Sequence, residues 1–210
     1  MNQVRRCLTF RVSMRHPGDT SAVTALIERG EVRAEEIVAI FGKTEGNGCV
    51  NDFTRAYAVS ALKAALAPAL GCSPDEVGER VAMIMSGGTE GGLSPHFLVL
   101  ARGAAPSSAA QADRKTLAIG TTFTRAFLPE EIGRAAQIHA TAEAVRNAMT
   151  EAGIDDPADV HFVQVKCPAS HLRADRRCNG ARQERLDPRH LRVDGPVPRR
   201  LGARNRLRAG

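Results

Sequence analysis

The chain has 210 residues, 43% of them hydrophobic, and a formal net charge of +6 at pH 7. The charge is uneven: residues 171–210 hold twelve arginines, four acids and no lysine, which leaves 17 bases and 19 acids for the rest. No apolar run reaches the roughly 20 residues that span a bilayer, and the N-terminus lacks signal-peptide features. We therefore expect a cytoplasmic protein without a membrane partner, built as one large or two small domains.

The first hundred residues alternate between strand and helix patterns, which predicts an α/β fold. Residues 5–14 alternate apolar and polar side chains like a half-buried strand, and the helix that follows is capped within 19–21 and stops at Gly30. The other predicted elements of this part are strands at 37–41, 81–85 and 97–100, a helix at 52–66, and a capped helix start at 73–76.

The pattern then repeats after a boundary that is small, polar and interrupted by proline. A strand at 116–124, a helix at 142–152 and a strand at 160–165 are predicted. Gly30 precedes Lys43 by 13 residues, and Gly153 precedes Lys166 by 13, which indicates a duplication with a period of 123 residues. We predict a first repeat unit at 1–103, a linker at 104–113, the start of a second unit at 114–168, and an arginine-rich, disordered tail at 169–210.

Three side chains with useful chemistry lie just beyond strand ends or at a helix start, where α/β proteins commonly hold ligands. Ser86 is followed by two glycines, so its hydroxyl and the neighbouring N–H groups offer the parts of an oxyanion hole. Lys43 lies where it can act on a serine as general base, and Arg55 can clamp polarised carbonyl oxygens. This set suits a flat, imide-like substrate, although each residue also fits an ordinary turn.

Other kinds of site fit the sequence less well. Gly42-Lys43-Thr44 imitates the end of a phosphate-binding loop, but Ile37 stands where that motif needs glycine. The six histidines form no ligand pair, and the five cysteines, which we expect to be buried thiols, form no CxxC pair. The basic tail has no aromatic residue to stack on a base, so we expect no nucleic-acid partner.

Four strings of residues resemble the cyclic amide hydrolase family, to which cyanuric acid hydrolase and barbiturase belong. They are FGKTEGNGCVND at 41–52, MSGGTEG at 85–91, FLPEEIGR at 127–134 and FVQVKCP at 162–168. The resemblance extends over residues 1–168. It implies three similar units around a pseudo-threefold axis, of which this chain holds one complete unit and the start of a second.

The resemblance also implies roles for individual residues. Arg55, Ser86 and Gly87 are expected to bind the substrate, with Lys43 paired to Ser86. Lys166 is expected to be the catalytic lysine that activates the nucleophilic serine of the second unit. The implied substrate is a small cyclic ureide such as cyanuric acid, whose ring is opened by hydrolysis of a C–N bond; the carboxybiuret product then loses CO2 to give biuret.

The resemblance further implies what a truncated copy lacks. The nucleophilic serine and the arginine of the second unit are absent, as is the third unit, which carries a structural metal site in the family. We therefore expect no cofactor in this chain and little or no activity, although full-length members are homotetramers. Two alternatives stay open: barbiturase, and a noncatalytic basic protein that binds nucleic acid through its tail.

The tail suggests a reading frame shifted after Pro168. The family continues there with Leu-Leu-Thr-Ser, whereas this chain has Ala169 to Leu172. If those four residues are encoded by GCT TCT CAC CTC and an arginine codon beginning with C follows, reading one base later gives CTT CTC ACC TCC, which encodes Leu-Leu-Thr-Ser. Residues 190–195 and 197–204 similarly permit the family's later serine-arginine-glycine segment. A genuine divergent tail is the alternative.

Overall fold

A computed structural model of the chain describes residues 5–49, 51–88, 92–104 and 117–167. They contain one mixed four-stranded sheet with the order β1-β4-β2-β3. Strand β4 runs antiparallel to both β1 and β2, whereas β2 and β3 are parallel. The strands are β1 (Arg5–Ser13), β2 (Ile37–Lys43), β3 (Ala82–Ser86) and β4 (His96–Ala104). The α/β class predicted from the sequence is therefore confirmed.

The helices begin and end at residues whose chemistry suits those positions. Asp19 accepts hydrogen bonds from the backbone N–H (3.3 Å) and hydroxyl (2.6 Å) of Ser21, where the first helix begins. Ser73 and Glu76 form the predicted capping box at the third helix. The second helix continues through Pro68, past its predicted end, and stops at Gly71. The helices are α1 (Ser21–Glu28), α2 (Thr54–Leu70), α3 (Pro74–Arg80) and α4 (Ala135–Ala152).

The hydrophobic core is built from the first part of the chain. All buried members of the core cluster lie between Met14 and Ala101, and most of them come from the sheet and from helices α1 to α3. The largest fully buried side chains include Phe97 and Ile40 on the sheet and Leu62 and Leu66 on α2. Of the described residues after 104, only Ala152 is buried. The second part therefore packs no core of its own among the residues described.

The backbone pattern of the first part recurs 123 residues later. Gly30 and Gly153 end their helices with positive φ angles of 69° and 72°. Each donates its N–H to the residue three positions earlier, at 2.9 and 3.1 Å. The 3-10 turns at Ala34–Glu36 and Pro157–Asp159 are also 123 residues apart. The predicted period of 123 thus holds in the hydrogen bonding, while the unit boundaries at 103 and 113 stay predictions.

Two predicted strands are wrong. Residues 117–124 and 160–165 form no strand, although strands were predicted at 116–124 and 160–165. A strand needs hydrogen bonds to a neighbouring strand, and in the first part β4 lies between β1 and β2 and pairs with both. No described residue of the second part provides a counterpart of β4. The N–H of Thr121 instead donates to the carboxylate of Glu151 at 2.6 Å.

Other differences concern the ends of elements and the cysteines. Helix α4 begins at Ala135 rather than 142, and the side chain of Gln137 accepts a hydrogen bond from the N–H of Gly133 ahead of it. The prediction of buried thiols is wrong for the described cysteines: Cys49 and Cys167 are exposed, and the other two, Cys7 and Cys72, are half-buried.

In the part of the chain that is described, no single helix has the length and apolar composition to cross a membrane. Only the bent pair α2 and α3, which meet at 91°, passes that test jointly. The predicted tail at 169–210 and nearly all of the predicted linker lie outside the described residues.

Candidate active site

The structure brings Lys43 and Ser86 together at the ends of two parallel strands. They are the last residues of β2 and β3 and lie opposite each other in the register. Lys43 Nζ donates to Ser86 Oγ at 3.1 Å and to the carbonyl oxygen of Gly87 at 2.9 Å. The Ser86 hydroxyl is itself 3.2 Å from that carbonyl. Because a parallel pair ends both strands at one edge of the sheet, two residues 43 positions apart become neighbours.

The two loops that follow these strands are bonded to each other. The N–H of Thr44 donates to the carbonyl of Ser86 at 2.8 Å, and the N–H of Gly88 donates to the carbonyl of Gly46 at 2.5 Å. This second bond removes one donor from the oxyanion hole expected at Ser86-Gly87-Gly88. The N–H of Gly88 is already used inside the protein, so it is not an open donor for a substrate oxygen.

Arg55, the predicted clamp, lies in the first turn of α2 and is held from two sides. Its Nη2 donates to the carbonyl of Cys49 at 2.7 Å, and its Nε lies 3.7 Å from Asp52 Oδ2. The side chain remains 37% exposed, so guanidinium donors are available to a ligand. Asp52 therefore joins the predicted set, although it was not predicted as a site residue from the sequence.

The side chain of Asp52 is fully buried, although the residue as a whole is only half-buried, and it accepts hydrogen bonds from three groups. Its Oδ1 accepts from the N–H of Thr54 at 2.9 Å and from the Thr54 hydroxyl, and its Oδ2 accepts from the N–H of Gly48 at 2.9 Å. These contacts lower the pKa of Asp52, chiefly through the Thr54 hydroxyl, whereas burial opposes the shift. The carboxylate is therefore a fixed negative charge beside Arg55.

Two glycines lie directly against this carboxylate. A Cβ on Gly46 or on Gly87 would be 2.0 Å from an oxygen of Asp52, far inside van der Waals contact. Gly87 is further confined by Gly48, whose nitrogen would be 2.8 Å from the added atom. Glycine is required at both positions because the loops after β2 and β3 close around the same side chain.

Lys166 lies apart from the Lys43 and Ser86 pair. Its Nζ donates to the carbonyl of Met83 at 3.0 Å, three residues before Ser86 on the same strand. Lys166 also lines an open cavity of about 1490 Å³ between the sheet and the second part of the chain. The cavity wall includes Phe41 and Met83 from the sheet and residues of α4.

Across residues 5–49, 51–88, 92–104 and 117–167, no three His, Cys, Asp or Glu side chains are grouped in a way that could hold a metal ion. The site is therefore described by its lysine, serine, arginine and aspartate, together with the backbone of the two loops.

The chain is similar to proteins of known name over most of its length. A "cyanuric acid amidohydrolase" of Bradyrhizobium diazoefficiens is 58% identical over 159 residues, which is 76% of this chain and 43% of that protein. A "cyclic amide hydrolase" of Azorhizobium caulinodans is 50% identical over 182 residues, covering 85% of this chain and 49% of the relative. The chain thus spans less than half the length of these relatives.

Solved structures give the same result. A cyanuric acid hydrolase described as an evolutionary innovation by structural concatenation superposes with a TM-score of 0.75 and 49% identity. The match covers 84% of this chain and 48% of that one. A cyanuric acid hydrolase from A. caulinodans gives a TM-score of 0.72 and 44% identity, over 84% and 47% of the two chains. The family model of the amidohydrolase ring-opening proteins matches residues 9–189, and the chain therefore belongs to that family.

Proposed function

We propose that these residues form part of a cyanuric acid hydrolase, an enzyme that opens a cyclic amide by hydrolysis. The observation that carries the proposal is the hydrogen-bonded set of Lys43, Ser86 and Gly87 at the strand ends, with Arg55 attached through Asp52. The names of the similar proteins support the reaction class. The same set would also serve a barbiturase, because both substrates are flat rings that carry carbonyl oxygens.

The first part of the chain supplies donors for substrate oxygens. Lys43 is a compact cation with three N–H donors, two of which are used by Ser86 Oγ and the Gly87 carbonyl. Arg55 offers a planar fork that can reach a polarised carbonyl. We propose that Arg55, Ser86 and Gly87 bind one edge of the ring and that Lys43 orients the Ser86 hydroxyl toward it.

We assign the covalent step to the second part of the family's site, with Lys166 as the catalytic lysine. In that step a serine oxygen attacks a ring carbonyl while the neutral amine of the lysine takes the serine proton. The ring C–N bond then breaks, and its nitrogen receives the proton. Water hydrolyses the resulting ester, and the carboxybiuret released loses CO2 to give biuret. No serine contacts Lys166 among the described residues, where its hydrogen bond is to Met83.

Ligand titration tests the binding half of this proposal. The 210-residue protein, labelled with ¹⁵N, is titrated with cyanuric acid and separately with barbituric acid while amide shifts of Gly87 and Arg55 are followed. We expect saturable shifts with cyanuric acid that weaken roughly tenfold in Ser86→Ala, since a hydrogen bond to a ligand is lost. Ser60→Ala, which removes an exposed hydroxyl on α2, is the matched control and should bind like the wild type. Equal binding by Ser86→Ala and wild type would contradict the assignment.

Turnover tests the covalent half. A protein consisting of these 210 residues alone should release no biuret from cyanuric acid, because its Lys166 has no serine partner among the described residues. A normal turnover rate would refute this expectation.

Preferential binding of barbituric acid would favour the barbiturase alternative. We further propose a cytoplasmic homotetramer for the complete enzyme, which light scattering after size exclusion would check.

The tail carries a separate proposal, a shift of reading frame after Pro168. Its support is the arginine-rich, lysine-free composition and the fit of the family's residues to the next frame. The family match itself continues to residue 189, into the first part of the tail. Sequencing the coding DNA decides between a frame shift and a genuine divergent tail. An early stop codon in the shifted frame would contradict the frame shift. Salt-sensitive nucleic-acid binding that disappears on deleting 171–210 would instead favour the basic binding protein.

A further inference from the structure

Asp52 differs from the other buried carboxylate of the fold in what surrounds it. Asp19 and Asp52 each lie two residues before the start of a helix, and each accepts hydrogen bonds from the N–H and the hydroxyl of the residue that begins it. Both therefore perform the same local task at α1 and α2. Comparing Asp52 with Asp19 therefore distinguishes helix capping from any further role of Asp52.

The remaining contacts of Asp19 stay within its own turn. Its other partner is Arg15, whose N–H and Nε donate to Oδ2 at 3.0 and 2.7 Å. Asp52 likewise accepts at Oδ2 from the N–H of the residue four positions earlier, Gly48. It differs from Asp19 in reaching the loop after β3, because the backbones of Gly46 and Gly87 lie so close to its oxygens that neither could carry a Cβ.

These contacts connect Asp52 to each predicted substrate contact. Gly87 is the residue whose carbonyl accepts from Lys43 Nζ, and it directly follows Ser86. Gly46 bonds to Gly88, so the loops after β2 and β3 close on each other with the carboxylate between them. Arg55 is held 3.7 Å from the same carboxylate. One buried side chain thus fixes the two loops and the arginine together.

We propose that Asp52 is a positioning residue that sets the relative placement of Arg55, Gly87 and the Lys43 and Ser86 pair for ligand binding. It touches no substrate itself and acts through the two loops and the guanidinium. All its close hydrogen-bonding partners are donors, so an amide at this position would turn an N–H₂ group toward another N–H or O–H. The proposal rests on the proposed function for the identity of the ligand, but not for the coupling between the loops.

The test compares Asp52→Asn with Asp19→Asn in the full 210-residue protein. Hydrogen exchange of the Gly88 amide, followed by NMR without ligand, reports whether the two loops stay closed. We expect exchange at Gly88 to accelerate roughly tenfold or more in Asp52→Asn, since one charge-assisted contact is lost, and to stay within about twofold of wild type in Asp19→Asn. Both variants should lose stability, so a purely structural role would affect them alike.

A cyanuric acid titration of the same variants gives the second readout. We expect the dissociation constant to rise roughly tenfold in Asp52→Asn and to change less than about twofold in Asp19→Asn. Similar values for the two variants in both readouts would overturn the inference. If the wild type binds no cyanuric acid, the proposed function fails, while the Gly88 comparison still decides the role of Asp52.

A milder pair of variants covers the case in which Asp52→Asn does not fold. Thr54→Val removes the hydroxyl that donates to Asp52 but keeps the side-chain shape and the carboxylate, and Ser21→Ala is its counterpart at Asp19. The same Thr54 hydroxyl lies 3.0 Å from Thr44 Oγ1, so Thr44→Val, which removes that contact and leaves the bond to Asp52, is a second control. Gly88 exchange that is faster in Thr54→Val than in both Ser21→Ala and Thr44→Val supports the proposal. Exchange that is no faster in Thr54→Val than in these controls contradicts it.

Discussion

Replacing Gly87 by alanine tests whether the two strand-end loops are as tightly closed as their geometry indicates. The added Cβ would lie 2.0 Å from Asp52 Oδ2, about 1.4 Å closer than the 3.4 Å at which ordinary contact begins. The neighbours on the other side are the nitrogen and Cα of Gly48, at 2.8 and 3.0 Å, which are backbone atoms. The Gly48 backbone cannot yield by a side-chain rotation, and the Asp52 carboxylate can move only by weakening its hydrogen bonds to Gly48 and Thr54.

The expected cost follows from that rigidity. Overpacking a well-filled site destabilises a protein by about 1–3 kcal/mol. We expect Gly87→Ala near the upper end, about 3 kcal/mol, since moving the carboxylate also weakens its bonds to Gly48 and Thr54. Urea denaturation monitored by circular dichroism should show the midpoint falling by about 1 M or more, given typical slopes of about 1–3 kcal/mol per M.

Gly78→Ala is the matched control. A Cβ there would meet only Lys63 Cε and Nζ, at 2.8 and 2.9 Å, which are the far end of a flexible side chain. Gly78 lies inside α3, where alanine is favoured over glycine by roughly 0.5–1 kcal/mol. The control should be as stable as the wild type or slightly more stable. A Gly87→Ala variant with a free energy of unfolding within about 0.5 kcal/mol of the wild type would refute the reasoning. Effects of a mutation on the unfolded state typically account for only a few tenths of a kcal/mol.

Two further predictions concern the core and the acid response. Leu62→Ala should lower the free energy of unfolding by about 2–5 kcal/mol, since Leu62 is fully buried, and a loss under about 1 kcal/mol would contradict the assigned core. Hydrogen bonds, chiefly from Arg15, lower the pKa of Asp19, and those from Thr54 lower that of Asp52. Their stabilisation is present above the unfolded pKa of about 3.9 and is lost as pH falls through the lower folded values. The urea concentration at the unfolding midpoint should therefore decrease as the pH is lowered below about 4, and it should decrease less steeply in Asp19→Asn. An equal dependence of the midpoint on pH in the variant and the wild type would count against the contribution of Asp19.

The sequence was sufficient where one segment alone determines the structure. The cap at Ser73, the stop at Gly30 and the strand predicted at 37–41, which extends two residues further to Lys43, each follow from local chemistry. The pairing of Lys43 with Ser86 was also accessible, because both follow strand patterns and strands of an α/β sheet commonly end at one edge. Local pattern and expected topology together were enough for this part of the site.

The role of Asp52 could be predicted only in part. Asp-x-Ser at 19–21 was interpreted as a helix cap, and Asp-x-Thr at 52–54 carries the same signal. What distinguishes Asp52 is that the loops containing Gly46 and Gly87 meet around it, which follows from the register that places Lys43 opposite Ser86. A register between strands 43 residues apart is a tertiary fact, so no local pattern contains it.

Two segments with strand-like sequences form no strand because strand pairing is likewise a tertiary property. In the first part, β4 pairs with β1 through nine residue positions and with β2 on its other edge, so neither of those strands depends on its own pattern alone. The second part repeats the helix, the glycine stop and the 3-10 turn at an offset of 123, because these are closed by bonds within a few residues. Its strand segments lack a described counterpart of β4, and Phe162 and Val163 are left exposed. Elements closed by local hydrogen bonds therefore form in the second part, whereas its strand segments require a partner strand equivalent to β4.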